Sequence, residues 1–398
     1  MKFLGFTSCE GDAEVWRRKA RKDDGLEYYE YILLYVDDAL CISHNAEHIL
    51  RGELGKYFVL KESSIGPPKL YLGNKLTLVT LENGTKAWAL SSSQYVQAAV
   101  KNVEEYLAKK NQKLPRASSP FPPNSRPELD TSSELNSADT SYYQSLIGVL
   151  RWIVELGRID IVTEASIMAS HMAMPRQGHL KLLYHMFGLL KMKHNAELVL
   201  DPSDPIIDTE QFVREDWKNT PYEDSEVKAP ENVPEPLGIG VKVVAYVDAD
   251  HAGDLLTRRS RTGFIVYLNN APIYWISKKQ TSIETSSYGS EFTALKNCCE
   301  YLRGLKYKLE MMGIPSDFPS FIFGDNKSVL VNSTVPHSVL KKKSCSISYH
   351  FVREGVANDE WMISYIPTND NRADMLSKPL PGGQKREKFT RMMLHPVT

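Results

Sequence analysis

Two apolar runs, Val243-Val244-Ala245-Tyr246-Val247 and Phe321-Ile322-Phe323-Gly324, each stop at a carboxylate, Asp248 and Asp325 respectively. β-Branched and aromatic residues dominate both and neither has a helical period, so each reads as a buried strand. Between them, Tyr288-Gly289-Ser290-Glu291-Phe292-Thr293-Ala294-Leu295 begins an apolar-periodic helix that continues through Leu302 and Leu305 and carries Glu291 near its start. After the turn formers Asn369-Asp370-Asn371, a fourth acid, Asp374, opens another helix. Strand ends and helix starts can converge, so these four acids can meet at one point.

Such a meeting has a chemical use. Hydrolysis of a phosphodiester needs a nucleophilic water and a stabilised leaving oxygen, and two divalent ions about 4 Å apart can serve both. Hard ions such as Mg²⁺ take oxygen ligands. Crowded carboxylates without a cation repel one another and raise their pKa values, so a cluster makes sense as an ion cage. Any one of these acids taken alone reads as a solvated surface charge.

Five words stand in order around them: Tyr-Val-Asp-Ala-Asp-His-Ala-Gly-Asp at 246–254, Trp-Ile-Ser-Lys-Lys-Gln at 275–280, Gly-Asp-Asn-Lys-Ser at 324–328, Tyr-His-Phe-Val-Arg-Glu at 349–354 and Ala-Asp-Met-Leu-Ser-Lys-Pro-Leu-Pro at 373–381. Together they resemble the RNase H domain of copia-type LTR retrotransposon polyproteins. The resemblance implies an α/β fold, an RNase H-like mixed sheet with flanking helices. It also implies that Asp248, Glu291, Asp325 and Asp374 hold two Mg²⁺ ions, with Mn²⁺ as a substitute, and hydrolyse the RNA strand of an RNA/DNA hybrid. Two departures stand out. Lys343-Ser344-Cys345-Ser346-Ile347 replaces the Lys-His-Ile-Asp-Ile common in relatives, and Tyr288-Gly289-Ser290 replaces Thr-Glu-Ala before Glu291. The first removes a basic and acidic pair that would lie near substrate. The second removes a carboxylate but keeps the metal-binding one.

Further upstream, Tyr31-Ile-Leu-Leu-Tyr-Val-Asp37-Asp38 followed by Ala39-Leu40-Cys41-Ile42 reads as a hairpin with Asp37 and Asp38 at its tip. It resembles the Tyr-Val-Asp-Asp element of the same family's reverse transcriptase palm. Lys69–Asn74, Leu90–Tyr95 and Tyr143–Leu150 resemble the following palm, thumb and connection. The family's palm needs another metal-binding Asp well upstream, and 36 residues precede Asp37. Trp16-Arg17-Arg18-Lys19-Ala20-Arg21-Lys22-Asp23-Asp24 offers no apolar strand leading to such an acid, and Asp12, Asp23 and Asp24 read as solvated loop charges. The expectation is a truncated palm, inactive alone, with Asp37 and Asp38 as relic metal ligands or as ligands that work with a second chain supplying fingers and palm. The organisation expected is a partial palm and thumb region at 1–113, a linker at 114–137, a helical connection at 138–200 broken near Pro175, an acidic Pro-rich linker at 201–240, and the RNase H-like domain at 241–398.

Charge separates these parts. Residues 241–398 hold 21 Lys and Arg against 15 Asp and Glu, a net of +6, whereas residues 1–240 hold 27 against 34. Within 201–236, eleven acids face three bases among six prolines, which reads as an exposed linker. The basic groups of the C-terminal part, Arg258-Arg259-Ser260-Arg261, Lys278, Lys279, Lys341, Lys342 and Lys343, together with Asn326, are candidate contacts to a nucleic acid. Tyr274, Trp275 and Trp361 read as core or strand-face aromatics. Five cysteines without a CxxC pair indicate neither a disulfide framework nor a zinc site. With no membrane-length apolar run and no signal peptide, the expectation is a soluble intracellular protein, cytoplasmic or nuclear. The alternatives to a nuclease are a decayed remnant that kept its acids, or a non-catalytic nucleic-acid-binding module.

Overall fold

The computed structural model describes residues 1–36, 38–226, 230–316, 319–340 and 343–396. Its first sheet is an antiparallel meander of β1 (Thr7–Cys9), β2 (Asp12–Arg21), β3 (Glu27–Tyr35) and β4 (Asp38–Ile42). The stretch of bases that showed no strand signal in the sequence is β2. Its Arg18 pairs with Glu30 at 2.9 Å and Glu53 at 2.6 Å, so charge pairing replaces the apolar alternation that usually marks a strand. The hairpin forms, with Tyr35 opposite Asp38 and Val36 at φ +52° in its turn. Asp38 is exposed at the start of β4, and Asp37 lies outside the described residues. Phe6, Ile32, Ile49 and Leu54 form a small core under the sheet, the last two from the helical stretch that begins at α1 (Ala46–His48).

A second antiparallel sheet takes β5 (Leu70–Tyr71), β6 (Asn74–Thr80), β7 (Lys86–Ser91) and β8 (Ala196–Leu200). Four helices lie between β7 and β8: α2 (Ser93–Lys109), α3 (Ser137–Glu155), α4 (Val162–Ala169) and α5 (Gln177–Met192). In α3 the Asn136 side chain caps the N-terminus by accepting from Asp139 N, and Tyr143, Leu146, Ile147, Leu150, Ile153 and Val154 bury one face at helical spacing. The expected break near Pro175 separates α4 from α5.

The C-terminal sheet is mixed, as the resemblance implied. It contains β9 (Val243–Asp250), β10 (Arg261–Leu268), β11 (Ala271–Lys279), β12 (Ser320–Gly324) and β13 (Trp361–Tyr365) in the order 11-10-9-12-13. β9, β10 and β11 are antiparallel neighbours, while β12 runs parallel to both β9 and β13. Alternation sends Val243, Ala245 and Val247 to one face, under Phe292, Leu295, Cys298 and Leu302 of α6 (Ser287–Met312), Val329 of α7 (Lys327–Thr334) and Val352 of α8 (Ser346–Ala357). Val244, Ile265, Tyr267, Phe321 and Phe323 lie on the other face. They join one core with residues of α2–α5, with Met375 and Leu376 of α9 (Asp374–Ser377) and with Phe389 of α10 (Gln384–Met393). The terminal strand β14 (His395–Pro396) then pairs with β8, so the second sheet is completed by the far end of the chain.

Both Pro-rich stretches differ from exposed linkers. Ala117, Phe121 and Leu135 of the first are buried in that shared core. In the second, Phe212 is buried with its ring 5.1 Å from Phe321 and 5.3 Å from Phe323, both edge-on, and each such pair is worth about 0.5–1.5 kcal/mol beyond its area. Trp217 and Tyr222 are buried as well, with the Arg353 guanidinium 4.7 Å and 5.5 Å from their ring centroids. The acidic segment is a strap bound by three aromatics. Trp361 is fully buried, as a core aromatic should be, and donates Nε1–H to Val352 O at 3.0 Å.

Candidate metal centre

Three elements deliver three of the acids to one place. Asp248 lies on β9, the central strand, and the parallel register that sets Gly324 opposite Val247 carries Asp325, the next residue after β12, alongside it. Glu291 comes from the start of α6, where the Ser286 side chain caps the helix by accepting from Gly289 N. Carboxylate oxygens of Asp248, Glu291 and Asp325 all lie within 4.8 Å of one another. A hollow of about 20 Å³ lies beside them, lined by Glu291, Asp325 and Asn326 among others. That is about the room needed for one water-sized guest.

Burial and mutual repulsion set the electrostatics. Burial pushes the Asp248 carboxyl up to about 6; Lys378 opposes this and Asp325 adds to it. Glu291 is held well above the usual carboxylate range, first by burial and then by Asp248 and Asp325. Both costs are relieved by a cation within reach of all three, and an all-oxygen donor set suits a hard divalent ion. The residues therefore fit a metal ion.

Asp374 stands beside this trio. It is fully buried, ion-paired with Lys378 one turn on and with Lys385 of α10 at 2.7 Å. Its link to the cluster runs through Ser377, whose hydroxyl donates to Asp248 Oδ2 and also lies 3.1 Å from Asp374 O. Lys378 Nζ is 3.9 Å from the same Asp248 oxygen. α9 can come this close because Gly263, opposite Asp248 on β10, has no side chain: a Cβ there would lie 2.5 Å from Leu376 C and Ser377 N. Asn371 Nδ2 donates to Val247 O at 2.9 Å and fastens the loop leading into α9. Ser377, Lys378 and Gly263 were not singled out from sequence. The i, i+3 and i, i+4 spacing from Asp374 was the available signal for the first two.

The candidate nucleic-acid contacts are scattered. Lys278 and Lys343 are exposed, Lys279 is paired with Asp254 at 2.9 Å, and Asn326 caps α7 through Ser328 N and Val329 N. Lys341 and Lys342 lie outside the described residues. Arg261 is no phosphate contact: it is buried, and its Nη1 donates to Ser166 Oγ at 2.8 Å. Among the described residues no helix is long and apolar enough to cross a membrane.

No protein-family model matches the chain. Among solved structures it is similar to LC11-RNase H1 in complex with an RNA/DNA hybrid, 20% identical, with 34% of this chain and 94% of that one covered at a TM-score of 0.28. It is also similar to the foamy viral protease-reverse transcriptase in complex with an RNA/DNA hybrid, 11% identical, covering 61% of this chain and 50% of that one at a TM-score of 0.26. Among curated proteins, the retrovirus-related Pol polyprotein from transposon RE1 of Arabidopsis thaliana is 25% identical over 381 residues, 95% of this chain and 22% of the relative. That from transposon TNT 1-94 of Nicotiana tabacum is 26% identical over 367 residues, 90% of this chain and 24% of the relative. The chain is thus a homologue of the retrovirus-related Pol polyproteins of transposons, of which it spans less than a quarter of the length.

Proposed function

We propose that residues 241–398 form an RNase H-type endoribonuclease that hydrolyses the RNA strand of an RNA/DNA hybrid. The observation that carries this reading is the convergence of Asp248, Glu291 and Asp325 from β9, α6 and the end of β12 within 4.8 Å. These three would hold Mg²⁺, with Asp374 as the fourth ligand of a two-ion site and Mn²⁺ as a substitute. When bound, the ions supply Lewis-acid polarisation of the scissile phosphate and charge stabilisation of the leaving oxygen. The protein's own part is positioning. Ser377 orients Asp248, and Lys378 and Lys385 carry the counter-charge of Asp374. Lys278 and Lys343, exposed on a domain of net positive sequence charge, would meet phosphates of the hybrid. We assign no polymerase role to Asp37 and Asp38.

The test offers labelled RNA/DNA hybrid, RNA duplex and DNA duplex of one sequence to the purified chain in Mg²⁺. Cleavage confined to the RNA strand of the hybrid is the expected result. Tight hybrid binding without any turnover would replace the enzyme by a binding module.

A further inference from the structure

Away from the carboxylates, a cleft of about 340 Å³ opens between the loop after α3, the α5–β8 connection and α10. That is near the lower end of the range for small-molecule sites, roughly 300–1,000 Å³. Arg158 lines it and is 1% exposed. Two of its nitrogens, Nε and Nη2, donate to Asp160 at 2.8 Å each, while Nη1 has no partner among the described residues. A buried guanidinium N–H without an acceptor is costly, and a site that keeps one is suited to an oxygen supplied from outside.

The charged groups of the lining are net positive, with Arg158, Lys193, Arg386 and Arg391 against Asp160 and Glu387. Arg386 is buried and committed to Glu164 and to the carbonyls of Leu380 and Asp160. Lys193 and Arg391 are exposed at the cleft and have no ion pair among the described residues. The lining acids are Asp160, already neutralised by Arg158, and Glu387. Gly382 and Gly383 lead into α10, a ten-residue helix without a side-chain cap, so its first-turn N–H groups add positive potential beside the same cleft.

We infer that this cleft binds a phosphate monoester. Arg158 Nη1 supplies the buried donor, and Lys193 and Arg391 supply the charge that a dianion needs. A free small phosphate and the 5′-phosphate end of a nucleic acid present the same group.

The experiment is calorimetric titration of the full chain in EDTA with inorganic phosphate, adenosine 5′-monophosphate, and one single-stranded oligonucleotide with and without its 5′-phosphate. Lys193→Ala/Arg391→Ala is run in parallel, with circular dichroism to confirm its fold. Both positions are exposed, so this variant tests the site without the unfolding that loss of Arg158 risks. Saturable binding of a monophosphate, weakened at least about tenfold in the double variant, is the result expected from losing two charge-assisted contacts. Preference for free monophosphate indicates a small-molecule ligand, and preference for the phosphorylated over the unphosphorylated oligonucleotide indicates a strand end; either upholds the site. Absence of saturable binding, equal binding of both oligonucleotides without monophosphate binding, or an undiminished double variant overturns it.

Discussion

Asp248 is the residue at which function and stability oppose one another. Its carboxyl titrates near 6, above the ordinary carboxylate range, so the folded protein binds a proton there that the unfolded chain has lost. The stability from that proton is complete below about pH 4 and is lost as pH rises through about 6, because 3.9 is the usual Asp value. In EDTA at pH 7, Asp248→Asn should therefore raise stability, on the order of 1–3 kcal/mol, a gain that shrinks towards pH 4. Denaturant titrations at both pH values check this; a variant less stable than wild type at pH 7 would contradict the electrostatic account. Gly263→Ala acts from the opposite side. Its Cβ would strike the backbone of α9, so a loss of about 1–3 kcal/mol is expected in the same titrations, together with reduced cleavage as Ser377 is displaced from Asp248. Unchanged stability would show that α9 moves aside freely. The three converging acids were legible in sequence because apolar strands ending in a carboxylate and a helix start are local patterns. Ser377 and Gly263 were not, since each matters only through a partner more than a hundred residues away.

Among the elements, the acidic strap most altered the picture drawn from sequence. Averaged over 201–236, eleven acids and six prolines outweigh Phe212, Trp217 and Tyr222, and composition reports a linker. Each aromatic nonetheless finds a prepared partner: β12 phenylalanines for the first, Arg353 of α8 for the other two. Phe212→Ala should cost about 3–5 kcal/mol, whereas Glu215→Gln, exposed in the same strap, should stay within about 0.5 kcal/mol. Paired urea melts distinguish them, and equal midpoints would mean that the strap is not bound. β2 was missed for a related reason. Its inward charges are satisfied by Glu30 and Glu53, and no hydrophobic period reports a strand held by ion pairs. The β9 and β12 strands and α6, by contrast, were readable because their burial is simple and apolar.

On the scale of the whole molecule, the boundary drawn at residue 241 runs through a continuous core. One face of the C-terminal sheet, with Val244, Ile265, Tyr267, Phe321 and Phe323, is covered by the helices of the connection, and β14 returns to pair with β8. Residues 241–398 alone would expose that face, a large apolar patch of the kind that promotes association. The isolated piece should bind a hydrophobic dye and lack a sharp thermal transition, while the full chain does neither. A sharply melting, dye-silent piece would show that the shared core is dispensable. Sequence resemblance did not convey this fusion, because contacts between distant segments leave no local pattern in the sequence. The central claim, that the acid cluster is a metal-dependent nuclease site, is tested most directly by following the RNA strand of a labelled hybrid with wild type and Asp248→Asn, each in Mg²⁺ and in EDTA. The account predicts cleavage by wild type in Mg²⁺ alone. Cleavage that survives either EDTA or loss of Asp248 would contradict it, as would a folded wild type that leaves the strand intact in Mg²⁺.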